Sequence, residues 1–294
     1  LNTIQMTDQD TLRRFIFEQA GVRGEWLKLT DSWQAVSDNH AYPPEVKEQL
    51  GHAVAAATML AATIKFNGAL VLQAQGEGPL KAVVAQCTHD RCIRGLARYR
   101  EPVVAGDLSQ LYGSGRLVLT IETERKQPYQ GIVTLDGDNL AQALENYYQQ
   151  SEQLPTRLWL FANETTVSGL FLQALPESSG FGSDWERIVM LADTISADEL
   201  LDLSCEAVLH RLFHEETVRL FQPESIRFKC SCSNGKIERT LKSLGRIALE
   251  EILEERDAIT VDCEFCNQQY RFDRVDVERL LIAETDLGTS KISH

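Results

Sequence analysis

Lys229-Cys230-Ser231-Cys232-Ser233 and Asp262-Cys263-Glu264-Phe265-Cys266-Asn267 are the stretches that decide how this chain is read. Thirty residues separate Cys232 from Cys263. Two close thiol pairs flanking one small insert supply the four soft donors of a closed tetrahedral zinc site. A closed site keeps no position for a substrate, so one structural Zn2+ is expected in the reduced state, held by Cys230, Cys232, Cys263 and Cys266. Residues i and i+2 of an extended chain point the same way, so a bend at Ser231 brings both sulfurs of the first knuckle to one ion. The competing readings are free buried thiols or the disulfides of a secreted protein. Seven cysteines, an odd count, do not suit complete disulfide pairing, and a reducing cytoplasm is the expected compartment.

Outward from the knuckles, strand Ile226–Lys229 precedes the first pair, and helices over Lys236–Leu244 and Ile247–Glu255 fill the insert. Strands Ala258–Asp262 and Gln269–Phe272 flank the second pair, and a last helix opens at Asp273. Residues 226–294 are thus read as a small C-terminal four-cysteine zinc domain, whose core of roughly 60 residues needs the metal for stability. Before it, 177–225 reads as an acidic helical linker. Glu177-Ser178-Ser179-Gly180-Phe181-Gly182-Ser183 has linker composition, and three helices follow: Asp184–Ile195, one opened by the capping box Ser196-Ala197-Asp198-Glu199, and Ser204–Glu215 with the apolar stripe Val208, Leu209, Leu212 and Phe213. Short helices gain most of their stability from packing, so this segment should depend on its neighbours.

Residues 1–176 read as an α+β core domain. Strands are expected at Leu70–Gln75, Leu80–Gln86, Ile93–Tyr99, Leu117–Glu122, Gln130–Leu135, Arg157–Ala162 and Val167–Leu175. Helices are expected from Pro44 to about Lys65, with an Ala-rich interior, and over Asn139–Gln150. Helices interspersed among hairpin-like strands favour a mostly antiparallel sheet with packed helices.

The net charge is −14, unevenly placed. Residues 176–225 carry 3 basic and 11 acidic groups, whereas 226–294 carry 11 and 13. Phosphate backbones require a basic footprint, which is missing here, so no nucleic-acid partner is expected. No run of about 20 apolar residues suggests a membrane partner. Leu1–Met6 has neither a basic nor an apolar signal region, and no secretory leader is expected.

Other candidates carry less. Gly76-Glu77-Gly78-Pro79 precedes a strand and not a helix N-terminus, so it reads as a turn and not a phosphate loop. His210 and His214 have metal-ligand spacing on a helix but lack the H-E-x-x-H carboxylate, and read as solvated or locally bonded. Cys87 and Cys92 bracket His89 in a hairpin and read as ordinary thiols. Cys205 lies near a helix start, where the dipole lowers a thiol pKa, but reads as a packing residue. No G-x-S-x-G elbow is present, and no catalytic residue is assigned. Two functions from other classes compete: a nucleic-acid-binding zinc ribbon, disfavoured by charge, and a thiol-disulfide oxidoreductase, disfavoured because its C-x-x-C opens a helix whereas this one lies between strands.

The two knuckles, the acidic segment before them and the run His210-Arg211-Leu212-Phe213-His214-Glu215-Glu216 together resemble the redox-regulated bacterial chaperone family of heat-shock protein thirty-three. Val22-Arg23-Gly24-Glu25, Gly76-Glu77-Gly78-Pro79-Leu80, Arg94-Gly95, Tyr129-Gln130-Gly131 and Ser151-Glu152-Gln153-Leu154-Pro155-Thr156-Arg157 extend the resemblance over essentially the whole chain. It implies an ATP-independent holdase, not an enzyme, that is inactive when reduced and zinc-bound. It further implies that oxidants such as hypochlorous acid, or peroxide with heat, pair Cys230 with Cys232 and Cys263 with Cys266. Zinc release, linker unfolding and a homodimer would follow, with unfolding client proteins held for ATP-dependent chaperones. Val208, Leu209, Leu212 and Phe213 are the expected client contacts once uncovered.

Overall fold

The computed structural model describes residues 8–123, 126–176 and 181–288. Two compact units divide the chain, the first ending at Lys229 and the second beginning at Cys230.

The first unit contains β1 (Thr11–Phe17), β2 (Val22–Leu29), α1 (Asp31–Ser37), α2 (Pro44–Thr63), β3 (Gly68–Gln75), β4 (Leu80–Thr88), β5 (Cys92–Tyr99), α3 (Leu108–Tyr112), β6 (Arg116–Thr123) and β7 (Lys126–Thr134). It continues with α4 (Leu140–Tyr147), β8 (Thr156–Ala162), β9 (Val167–Ala174), α5 (Phe181–Ala192), α6 (Ala197–Asp202), α7 (Cys205–Phe213), β10 (Val218–Leu220), β11 (Glu224–Ser225) and β12 (Arg227–Phe228). One sheet runs β10-β1-β2-β9-β8, with β11 also on β1; the other runs β12-β5-β4-β3-β6-β7. Every pairing is antiparallel except β12 on β5, so the expected α+β, mostly antiparallel class holds.

The helix α2 packs against strands of both sheets. A helix in that position is apolar all round, and its Ala53–Ala57 and Met59–Ala62 runs are buried without an outer face. Small side chains let the sheets close on it: a Cβ at Gly51 would lie 2.5 Å from the Ala162 methyl. The inner core gathers α2, Leu12, Leu27 and Phe171 from the first sheet, and Leu72, Val83 and Leu119 from the second.

A second core lies on the other face of the first sheet. Phe15, Phe17, Trp26, Leu170 and Leu172 there meet Ile188, Leu200, Val208, Leu212 and Phe213 of α5–α7. Strand β9 is consequently buried at every residue, because alternate side chains enter different cores.

The seven expected strands and both expected helices of residues 1–176 form, with shifted ends. The helix after Asn139 ends at Tyr147, where a π-helical turn, Tyr148–Glu152, takes over. The sequence pattern does not predict β1 and β2. Arg13, Arg14 and Glu25 break their alternation, and tertiary pairing accommodates them, as with Arg13 and Glu206 of α7. In the run 177–183, residues 177–180 lie outside the described residues, and Phe181-Gly182-Ser183 is already helical. Gly76 and Gly78 do form the β3–β4 turn; a Cβ there would lie 2.1 and 2.5 Å from the carbonyl oxygens of Tyr112 and Leu111, so packing and not an anion explains both glycines.

The strand expected over Ile226–Lys229 belongs to the first unit. Arg227 pairs with Cys92 and Phe228 with Ile93, Ile226 is buried in the inner core, and Arg227 Nη2 donates to Asp90 Oδ2 at 3.1 Å.

The second unit contains α8 (Asn234–Leu244), α9 (Arg246–Glu255), a hairpin of β13 (Ala258–Asp262) and β14 (Gln269–Asp273), and α10 (Arg274–Gly288). Its core is small: Leu241, Leu249, Leu253, Ile259, Phe272, Val277, Leu280 and Leu281.

Candidate metal centre

Cys230 and Cys232 lie on irregular chain just before α8, and Cys263 and Cys266 in the β13–β14 turn. The turn is built by its backbone: Cys263 N donates to Gln268 O at 3.0 Å, and Cys266 N and Asn267 N both donate to Cys263 O, at 3.2 and 2.8 Å. Asn267 takes φ +54°, a left-handed conformation that asparagine tolerates better than most residues. Both sulfurs of the turn thereby face one side.

The four Sγ atoms lie within 4.8 Å of one another. Cys230 Sγ is 3.7 Å from Cys263 Sγ, and Cys232 Sγ is 3.4 Å from Cys266 Sγ. Sulfurs about 2.3 Å from a tetrahedral ion stand about 3.8 Å apart, so the cluster has the dimensions of a four-thiolate site, whereas a disulfide needs about 2.05 Å. Cys263 is buried and the other three are half-buried, which closes the site to a substrate-sized ligand.

The cluster is electrostatically uneven. Burial raises the Cys230 thiol, and burial pushes Cys266 up to about 12. Burial acts in the same direction on Cys232, but hydrogen bonds from the Tyr270 hydroxyl and the other three cysteines outweigh it and hold that thiol at about 7. Tyr270 of β14 is a residue that sequence reasoning missed. The available signal was the period of two that places it on the same face as buried Phe272.

Among the described residues, these four cysteines are the one group of three or more His, Cys, Asp or Glu placed to hold a metal ion. No second site forms around Cys87, His89 and Cys92. Cys87 is buried beneath α2, where burial pushes its thiol up to about 12, and Cys92 Sγ accepts from Arg227 Nε at 3.1 Å. Cys205 is a packing residue at the start of α7, and burial raises its thiol, overriding the helix dipole. Val208, Leu209, Leu212 and Phe213 are all buried against the first sheet. No described helix is long and apolar enough to cross a membrane.

Known proteins resemble the chain over nearly its full length. The family model described as Hsp33 protein matches residues 10–273. A 33 kDa chaperonin of Nitrosococcus oceani is 54% identical, over 98% of this chain and all of that one. A 33 kDa chaperonin of Pseudomonas aeruginosa is 45% identical with the same coverage. The crystal structure of the 33 kDa chaperonin from Thermotoga maritima shares the fold, with a TM-score of 0.83 at 22% identity over 94% of this chain and 99% of that chain. The family is one of chaperones and not enzymes, in keeping with the expectation that the chain catalyses no reaction. With the family model and two close relatives spanning it, this chain belongs to the Hsp33 family.

Proposed function

We propose that the chain is a redox-regulated, ATP-independent holdase chaperone of the cytoplasm, inactive when reduced and zinc-bound. The observation that carries this reading is the four-sulfur cluster, because its dimensions suit Zn2+ and its donors are the side chains most sensitive to oxidants. A zinc ion held there would tie the two knuckles together and contribute an apparent ~10–16 kcal/mol to a unit whose own core supplies only a few kcal/mol.

Two thiolates of the cluster that meet hypochlorous acid lose two electrons and form one S–S bond; the oxidant takes up one proton from solvent and leaves as chloride and water. Two such steps, pairing Cys230 with Cys232 and Cys263 with Cys266 by family resemblance, consume all four donors. All four sulfurs lie within 4.8 Å of one another, so forming either S–S bond of about 2.05 Å draws two donors together and away from a shared ion. Zinc release and loss of the second unit's tertiary packing follow.

The acidic segment unfolds next in this reading, and Val208, Leu209, Leu212 and Phe213 leave the sheet face that they cover. That exposes two apolar surfaces, the stripe itself and Phe15, Phe17, Trp26, Leu170 and Leu172 beneath it. Unfolding client proteins bind there, the oxidised protein is a homodimer, and clients pass to ATP-dependent chaperones.

Light scattering of a heat-unfolding client tests this, with the protein added either reduced and zinc-loaded or oxidised at raised temperature. Suppression by the oxidised form alone, with zinc release on the same timescale, is expected. Equal suppression by both forms would reduce the cluster to a structural staple.

A further inference from the structure

The proposed function leaves His210 and His214 without a role, yet they form a matched pair. His210 lies in the last turn of α7 and His214 caps that helix, so both project from the face opposite the buried stripe. Both are exposed, and their ring centroids are 6.0 Å apart with planes inclined by 35°. An ion coordinated by two imidazoles at about 2.1 Å brings ring centroids to about 5 Å at a tetrahedral angle. Closing the remaining ångström takes only side-chain rotation of two exposed rings.

The surrounding charge favours a cation at His214, where Glu215 Oε1 is 3.9 Å from Nε2; Glu206, one turn before His210, is already paired with Arg13. Arg211, the cation between the two histidines, is drawn away. Its Nε pairs with Glu199, while Nη1 and Nη2 donate to Thr194 Oγ1 and Thr194 O, both at 3.1 Å.

We propose that His210 and His214 form a second, weaker site for a divalent transition-metal ion of the imidazole-preferring class (Cu2+, Ni2+ or Zn2+), completed by water. Only two protein ligands are in reach, so the ion exchanges readily, unlike one enclosed by four thiolates. Its consequence rests on the holdase reading. An ion bridging one turn of α7 binds only the helical form and so opposes the unfolding that uncovers Val208, Leu209, Leu212 and Phe213. The site then acts as a brake on activation, strongest where free transition metal is abundant.

The test uses Ni2+ and the untagged, reduced, zinc-loaded full chain. Calorimetric titration is expected to find one Ni2+ equivalent that His210→Ala and His214→Ala each abolish, and that His89→Ala on the β4–β5 turn leaves intact. At ten times the dissociation constant, amide exchange over 205–213 should slow about tenfold, as linkage to the folded helix requires. Unchanged binding in both α7 variants would overturn the site. Binding without slower exchange in α7 would overturn the brake. Neither readout depends on client protection, so failure of the holdase reading would leave the metal result interpretable.

Discussion

Glu25 shows how a single residue contributes to the pH response of the first unit. Its side chain is enclosed in the middle of β2, with Oε2 lacking a hydrogen-bond partner, and burial raises its carboxyl to about 8 against the opposing influence of Arg23, Arg91 and Arg14. The folded chain thus keeps a proton that the unfolded chain releases near 4.5. Stability contributed by this group is therefore full below that value and declines as pH rises toward 8, by about 1.4 kcal/mol per pH unit. Unfolding free energies from denaturant titrations between pH 5 and 8 should fall with that slope, and Glu25→Gln should flatten it; parallel curves would assign the titration to another group. Glu25 also marks a limit of reading from sequence. A charged residue inside a strand argues against burial, and nothing local announces that Arg91, more than sixty residues away, joins Arg23 of the same strand and Arg14 of the paired strand around it. The cysteines are the opposite case, since thiols at those spacings have few other uses, and the cluster that the four form was legible.

At the scale of elements, α5–α7 form a layer over one face of the first sheet. Ser196 illustrates how its ends are fixed: its hydroxyl accepts from Glu199 N at 3.2 Å, and its own N donates to Glu199 Oε2 at 3.0 Å, the reciprocal pair that the sequence pattern announces. Phe213 carries more of the packing, edge-on to Phe17 at 4.9 Å between centroids. Phe213→Ala should cost about 3–5 kcal/mol, as removal of a buried aromatic does. Because that loss falls on the outer layer, the variant should keep four-thiolate zinc binding while α5–α7 lose protection from hydrogen exchange. It should also suppress client aggregation while reduced. A fully protected α7 in this variant would show that the layer does not depend on the aromatic contact. The apolar stripe is visible in the sequence as a helical period, but its partner surface is not. β1 and β2 carry charges that interrupt the strand pattern, and without those strands there is no sheet face for the stripe to cover.

The whole molecule has its division between Lys229 and Cys230, so the four-cysteine cluster begins where the second unit does. Chelation under reducing conditions should therefore strip exchange protection from Leu241, Leu249 and Ile259 while α2 amides stay protected. Simultaneous loss in α2 would mean that one cooperative structure spans both units. The placement of residues 226–229 was not legible, since a short apolar strand before a knuckle looks like part of the knuckle. It is the parallel ladder to β5, formed over a separation of more than a hundred residues, that draws it into the first unit.

Strand β9 gives the arrangement of the first unit a further meaning. Its Leu170 and Leu172 look outward to α7, while Val167 and Phe171 look inward to α2. A strand sealed on both sides can lose one cover and stay anchored through the other. In the proposed cycle the sheet acts as a laminate: its outer ply peels off while the inner one stays bonded, and what is laid bare is a rigid, greasy plate and not a collapsing coil.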